Sequence, residues 1–295
     1  MSDELVPAAL RYFLAIAEQG SFTAAARVLG MSQPALTASV HALEESLRTT
    51  LFVRTSRGVV LTATGHELVV RARAIAQKTS ELRQAISDLE HEPRGSFTLG
   101  CHESLGAYFL PGFMTTFFAE HPDIVLSLWN GNSRDVMAAV VERRIDVGIV
   151  VNPEPHPECV IVPLFEDHVE LLVLTKLLKK HDDLSALPLL YVPVLTQTQW
   201  ILSRLPGEPA RRHLPCSSME LVKSLVVDGA GVGILPRRVA EHGLAPHTLS
   251  PLAQTPRFED KVALVRRADV HETRATRILL DALRDRGKAL RQKTG

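Results

Sequence analysis

Only three cysteines occur in this sequence, Cys101, Cys159 and Cys216. They are far apart and odd in number, which argues against a disulfide framework and for a reducing compartment. There is no net charge, because 33 Lys and Arg balance 33 Asp and Glu. No global basic field therefore points to nucleic acid, although a local patch would suffice. There is no run of about 18 apolar residues, so no membrane span is expected. The start, MSDEL, lacks the basic-then-apolar pattern of a secretion signal. A cytoplasmic protein with no membrane partner is the expectation.

Enzyme signatures are missing as well. There is no G-x-S-x-G elbow, phosphate loop or triad pattern. The stretch GAGVG (229–233) follows a helical pattern and enters a strand pattern, the reverse of a dinucleotide loop, and reads as a turn. His102-Glu103 lacks the second histidine of a zinc-binding helix, and the other histidines are scattered. No metal and no cofactor is expected.

What is present begins with helices. Leu10, Phe13, Leu14 and Ala17 form an apolar stripe that Gly20 ends. Ser21 is placed to cap the next helix, whose inner face is Phe22, Ala25, Ala26 and Leu29. After Gly30-Met31, Ser32 is placed to cap a third helix, with Pro34 tolerated in its first turn. Leu36, Val40, Leu43 and Leu47 recur at spacings of four and three, which predicts one buried stripe. Pro34, Ala38, His41 and Glu45 point away from it, with Gln33 and Thr37 at its edge. LFVRTSRGVVLT (51–62) has the pattern of a β-hairpin with a basic tip carrying Arg57 beyond Arg54.

Two short helices joined by a tight turn admit a plain helical hairpin. They also admit a helix-turn-helix, whose second helix enters the DNA major groove with its N-terminal residues at the base edges. Gln33 suits bidentate pairing with adenine, and Thr37 and Ala38 offer methyl contacts to thymine. His41 suits a base or a phosphate, and Arg54 and Arg57 suit phosphates.

Thr64 and Glu67 form a capping-box pattern for a long helix. Leu68, Ala72, Ile75, Thr79, Leu82, Ile86 and Leu89 then alternate spacings of four and three. That is a heptad seam, which predicts pairing with a second helix. Pro93 and Gly95 stop the helix.

From residue 96 the pattern changes to strands alternating with helices, which predicts a parallel α/β sheet. Strands are expected at 96–100, 124–129 and 147–151, with helices from about 104 to 120 and 133 to 144 between them. A second set is expected at 188–192, 211–216 and 232–236, with a helix near 196–204 and another from Met219. A strand at 261–267 and a helix near 271–287 finish the chain. SRDVMAAVVERRIDVGIV (133–150) and SMELVKSLVVDGAGVGIL (218–235) align without a gap, which suggests two similar halves. Such halves leave a ligand cleft at the strand ends.

The first 65 residues resemble the winged helix-turn-helix of LysR-type transcriptional regulators. The resemblance is carried by Ser21, Ala25, Ala26, Leu29, Ser32, Gln33, Pro34, Ala35, Leu43, Glu44, Leu51, Phe52, Arg54, Leu61, Thr62 and Gly65. It continues through a linker helix, a two-part α/β effector domain similar to periplasmic binding proteins, and VVDGAGVGILP (226–236). It implies a ligand-responsive regulator that binds pseudo-palindromic promoter DNA and a small effector. It implies a homodimer assembling into a homotetramer, with RNA polymerase as a further partner. The implied domains are 1–62 for DNA binding, 63–92 for dimerisation and 93–295 for effector binding. The effector domain would divide into 93–163 with 267–295, and 164–266.

Carried over residue by residue, Ser32, Gln33, Pro34 and Thr37 fall on DNA-contacting positions, and Arg54 on the wing arginine. Ala38 departs from the longer polar side chain common at its position. The implied cleft is lined by Cys101, His102, Glu103 and Ser104, by Asn130, Ser133 and Asn152 at strand ends, and by Gln197 and Thr198 from the other half. Redox-sensing members use two cysteines in the second half, where only Cys216 lies, so Cys101 reads as an inert thiol. The dimer seam would be Leu68, Ala72, Ile75, Leu82, Ile86 and Leu89. A rival reading is an α/β enzyme whose N-terminal helices serve only assembly. A transport solute-binding protein is a third, and it leaves the N-terminal module without a role.

Overall fold

A computed structural model describes residues 6–55, 58–90, 93–178, 187–205 and 212–292. The chain divides into two compact units. The first is Met1–Arg94 with the short segments Val141–Arg144 and His271–Arg274, and the second is the remainder.

The first unit begins with three helices, α1 (Ala8–Gln19), α2 (Phe22–Leu29) and α3 (Gln33–Leu47). The side chains of Ser21 and Ser32 cap α2 and α3, accepting from Ala24 N and Ala35 N at 3.4 Å. Gly20 and Gly30 end α1 and α2 in the left-handed conformation, where a Cβ would be costly. The small Ala25 and Ala26 let α2 pack closely against Ile16, Leu36 and Val40, all buried. The expected stripe on α3 is buried at Leu36 and Val40, half-buried at Leu43 and exposed at Leu47, where the helix runs out past its neighbours.

The hairpin follows as β1 (Phe52–Thr55) and β2 (Gly58–Leu61), antiparallel with Phe52 opposite Leu61. Its tip, including Arg57, lies outside the described residues. The long helix α4 (Ala63–Glu90) starts two residues earlier than the Thr64 cap would require. Thr62 caps it instead, its Oγ1 accepting from Gly65 N at 3.0 Å. Glu67 pairs with Arg71 at 2.8 Å rather than closing a capping box.

In the second unit β3 (Gly95–Cys101), β4 (Ile124–Asn130) and β5 (Val147–Val151) are parallel in the order β4-β3-β5. Helices α5 (Glu103–Phe109), α6 (Pro111–Glu120) and α7 (Ser133–Val141) connect them. The single helix expected over 104–120 is split, because Pro111 has no N–H to continue the ladder and instead opens α6. Next come β6 (Cys159–Leu174), α8 (Thr175–Leu178), β7 (Leu189–Tyr191), α9 (Thr196–Leu202), β8 (His213–Pro215), α10 (Met219–Val227), β9 (Val232–Pro236), α11 (Arg237–Glu241), β10 (Leu249–Pro251), β11 (Phe258–Arg267) and α12 (Arg274–Arg291). Strands β9, β7 and β8 are again parallel, with the first-formed strand in the middle as in the first triplet.

Two long antiparallel strands, β6 and β11, cross between the triplets. Strand β6 pairs with β9 at Val169–Leu172, and β11 pairs with β5 at Val262–Arg266. The register therefore gives Val262–Arg266 to the sheet of the first half, whereas the expected boundary placed this stretch in the second. Strand β6 is absent from the sequence expectation because Pro163 sits inside it, a residue that argues against a central strand. The register shifts opposite Pro163, between Val262 and Ala263, and this irregularity accommodates the missing donor.

The two similar segments hold up as α7–β5 and α10–β9, with one adjustment. A Cβ on Gly148 would lie 2.6 Å from Val136 Cγ1, and one on Gly233 would lie 2.6 Å from Val226 Cγ2 and 3.0 Å from Val222 Cγ1. The glycines thus let each helix sit tightly on its strand. Val136 and Val140 correspond to Val222 and Val226, one position away from the gapless pairing. The turn 228–231 is one residue shorter than 142–146.

Candidate DNA-reading and ligand sites

In α3, Ser32, Gln33, Pro34, Ala38 and His41 are exposed, as is Arg54 on β1. Thr37 is half-buried and its Oγ1 donates to the Gln33 carbonyl at 2.9 Å, leaving its methyl as the free contact. Ala35, part of the motif but not singled out as a contact, is exposed on the same first turn.

One residue of this surface was missed. Glu44 Oε1 accepts from the backbone N–H groups of Leu51 and Phe52 at 2.7 and 3.4 Å. It fastens the last half of α3 to the start of the hairpin, so that helix and wing form one piece. His41 Nδ1 lies 3.7 Å from Glu44 Oε2. The signal was available, since Glu44 stands between the inward Leu43 and the exposed Glu45, at the edge where a carboxylate can turn back to backbone.

The expected seam on α4 is not uniform. Ala72 is 0% exposed and packs with Phe13, Leu51 and Val69, and Leu68 lies against the same cluster. These two residues belong to the core of the first unit and are withdrawn from the exposed seam, because α1 and the hairpin cover that end of α4. Farther along, Ile75, Leu82 and Ile86 are 45%, 56% and 54% exposed. The side chain of Leu89 lies outside those described.

In the second unit the residues expected at the cleft divide into two groups. Several are committed to bracing the fold. His102 caps α5, its Nδ1 accepting from Ser104 N at 3.2 Å, so the neutral ring carries its proton on Nε2. Burial lowers its pKa against the pull of Glu103. This cap occupies a donor that an anionic ligand would have used. Ser133 Oγ accepts from Val151 N at 2.9 Å. Asn152, with φ of 51°, donates from Nδ2 to Asp260 Oδ1 at 2.6 Å and accepts from Lys261 N at 2.8 Å. Cys101 is buried, and burial pushes its thiol up to about 11, which makes it a poor nucleophile.

The second group remains open to a ligand. Ser104 on α5, and Gln197 and Thr198 on α9, are buried, with no side-chain hydrogen bond among the described residues. Glu103 and Asn130 are exposed. Helix α9 rests on the crossing strands, with Trp200 edge-on to Phe258 at 5.3 Å.

The crossing strands hold two acids that the sequence reading passed over. Asp167 and Asp260 face each other in register and are 4% and 2% exposed. Burial raises Asp167 to about 6, against N–H donation from His168 and Arg238. Burial raises Asp260 to about 7, against its Asn152 hydrogen bond and with the help of Asp167. The signal was a repeated tripeptide, Phe-Glu-Asp, at 165–167 and 258–260. Among the described residues no group of three or more His, Cys, Asp or Glu is placed to hold a metal ion.

A capped, exposed helix braced by a wing, followed by an α/β unit of two like halves, defines a ligand-responsive DNA-binding regulator. Residues 7–66 match the family described as bacterial regulatory helix-turn-helix protein, lysR family, and residues 90–288 match the LysR substrate binding domain. The chain belongs to the LysR family of transcriptional regulators. It is 31% identical over 292 residues to the uncharacterized HTH-type transcriptional regulator YeiE of Escherichia coli (strain K12), covering 92% of this chain and 94% of that protein. Its fold is similar to that of ArgP from Mycobacterium tuberculosis, with a TM-score of 0.71, 18% identity, and 96% and 98% of the two chains covered. It is also similar to full-length LysG of Corynebacterium glutamicum with bound effector Arg, with a TM-score of 0.65, 22% identity, and 95% and 97% covered. The enzyme alternative finds no support in these matches. No described helix is long and apolar enough to cross a membrane.

Proposed function

We propose that this regulator reads two-fold symmetric promoter sites with α3 and its wing, as a homodimer that assembles further to a homotetramer. Residues 1–62 read DNA, 63–92 pair two subunits, and 93–295 take a small effector between two halves. The observation that carries the DNA-reading role is the exposed face of Ser32, Gln33, Pro34, Ala38 and His41, locked to the wing through Glu44. Arg54 and Arg57 contact phosphates. Two subunits place two such helices about one helical turn of DNA apart, or a multiple of it. The exposed Ile75, Leu82 and Ile86 supply the pairing face of α4.

Ser104, Gln197 and Thr198 offer the effector hydrogen-bonding groups that the protein itself leaves unused. Their polar atoms are not sealed from solvent, so a polar ligand can take the place of water on them. The protein acts in the cytoplasm, contacts RNA polymerase at the promoter, and leaves its effector chemically unchanged. Selection of genomic fragments by the purified protein at physiological salt, followed by footprinting, tests the reading. A compact symmetric footprint is expected. Uniform weak binding to all fragments, with and without metabolite pools, would remove the DNA-reading role.

A further inference from the structure

Strands β6 and β11 form the passage between the two halves of the second unit, and their centre is built symmetrically. Each carries Phe-Glu-Asp, and the antiparallel register sets Asp167 directly opposite Asp260. The phenylalanines point into different cores. Phe165 stacks on Phe109 in the core of the first half, with ring centroids 6.2 Å apart, and Phe258 meets Trp200 in the core of the second. The aspartates lie between these anchors. Each is tied to one half. Asp260 Oδ1 accepts from Asn152 Nδ2, just past β5, at 2.6 Å. Asp167 Oδ2 accepts from Arg238 N at the start of α11, which follows β9, at 3.3 Å.

Directly opposed residues of an antiparallel pair have Cβ atoms about 5 Å apart, and like charges there repel. Two carboxylates at that separation, both almost without solvent, cannot ionise together without a large cost. We propose that Asp167 and Asp260 share a single proton at the crossing of the two halves, and that its loss loosens the connection between those halves. The proposal rests on the reading of this unit as the effector domain only for its biological consequence. The proton-sharing itself is independent of that reading.

The surroundings favour one retained proton over none. From α5, Tyr108 faces the pair, and burial, helped by Asp167, drives its hydroxyl pKa upward, so it stays neutral and can donate. From β3, Cys101 faces Tyr108 and is a neutral thiol. From α11, Arg238 brings one positive charge toward Asp167, while Glu241 opposes it. The Arg238 guanidinium is partly spent elsewhere, lying over the Phe165 ring at 4.9 Å and donating to the Leu290 carbonyl at 2.9 Å. From α12, Arg286 adds its charge near Arg238 and donates to the Tyr108 and Phe109 carbonyls. Glu166, His168, Glu259 and Lys261 alternate with the pair along the strands and fall on the opposite face. One cation balances one carboxylate, and the second acid keeps its proton to about pH 7, within the range a cell visits.

The test is a carboxyl NMR titration of the full-length protein labelled with carbon-13 at aspartate, with assignment by Asp167→Asn and Asp260→Asn. In the wild type two coupled signals are expected, the later one titrating near pH 7. In Asp260→Asn the remaining Asp167 should titrate at lower pH than in the wild type, and the reverse variant should do the same to Asp260. Hydrogen exchange of 165–169 and 258–262, corrected for the intrinsic pH effect, should rise about ten-fold in the wild type between about pH 6 and 8. In Asp260→Asn it should stay flat. Two wild-type titrations near the ordinary aspartate range would overturn the shared proton, and this readout needs neither variant to fold. Independent titrations unaffected by the opposite substitution would also overturn it. Equal pH dependence of exchange in wild type and variant would overturn the coupling to the halves.

Discussion

Gln33 and Arg54 are both exposed, and their side chains offer DNA different chemistry. An amide at the first turn of α3 can satisfy an adenine edge with two hydrogen bonds, so its loss is felt base by base. Gln33→Ala is expected to lose about 1–3 kcal/mol at one base position and little on random DNA. Arg54→Ala is expected to weaken specific and random DNA alike and to reduce the salt dependence by about one ion. Binding titrations on both kinds of DNA at several salt concentrations separate the two, and equal losses for Gln33→Ala would deny it a base-reading role. Glu44 works indirectly, by accepting two backbone N–H groups of the hairpin. Glu44→Ala leaves those donors without their partner. It should cost about 1–3 kcal/mol of stability in the first unit. It should also weaken DNA binding, and Glu44→Gln, which keeps an acceptor, should recover part of both. Denaturant melts paired with DNA titrations check this.

At the scale of elements, the helices were the easiest to read and the strands the hardest. Ser21, Ser32, Gly20 and Gly30 mark α1 to α3 because capping is local chemistry, written within four residues. The hairpin was legible for the same reason. Strand β6 was not, since Pro163 breaks its pattern, and the bulge that rescues it, with Leu164 unpaired beside Pro163, shows only once β11 is laid against it. The gapless alignment of the two similar segments was off by one in its helices, because a turn one residue shorter is invisible to a pattern that still matches. In the ligand half, Ser133 and Asn152 carried the right chemistry in the right neighbourhood, but their partners, Val151 and Asp260, come from pairing that no local pattern specifies.

Helix α4 shows the difference between periodicity and exposure. Its heptad spacing is unbroken, yet Leu68 and Ala72 are spent on the core beside Phe13, and only the later positions are open. Ile75→Asp, Leu82→Asp and Ile86→Asp together should therefore lower the oligomeric state with little effect on melting of the first unit. Ala72→Leu should do the reverse, costing about 1–3 kcal/mol by overpacking. Sedimentation velocity and thermal melts of the two variants distinguish these outcomes, and an unchanged oligomer after the triple substitution would remove the exposed α4 stripe from the interface.

At the scale of the molecule, the buried aspartates set a pH dependence with a definite sign. Folded Asp167 and Asp260 keep their protons to about 6 and about 7, against 3.8 for an ordinary aspartate. Between those limits the folded chain binds more protons than the unfolded one. Their stabilisation is complete below 3.8 and is lost as the pH rises through 6 and 7. His102 and His168 act oppositely. Burial lowers both, so they cost stability as the pH falls below 6.5. The informative quantity is the difference between wild type and Asp260→Asn. Between about pH 5 and 8 the wild type should lose more stability than the variant, by on the order of a few kcal/mol. Parallel curves from denaturant titrations would mean that Asp260 ionises freely.

The course of β11 has a consequence for how the chain is made. The second half of the effector domain is complete once Phe258, at the start of β11, has emerged to meet Trp200 in its core. The first half, though begun earlier, still lacks the strand beside β5 and the helix that brings Leu279, Leu280, Leu283 and Leu290 to its core. During synthesis the later-encoded half can therefore close first, while the earlier one waits exposed until β11 and α12 emerge. A ribosome-bound chain stopped before α12 should show a protease-resistant second half beside a sensitive first half. The half begun first is thus finished by a stretch encoded after the other half has closed.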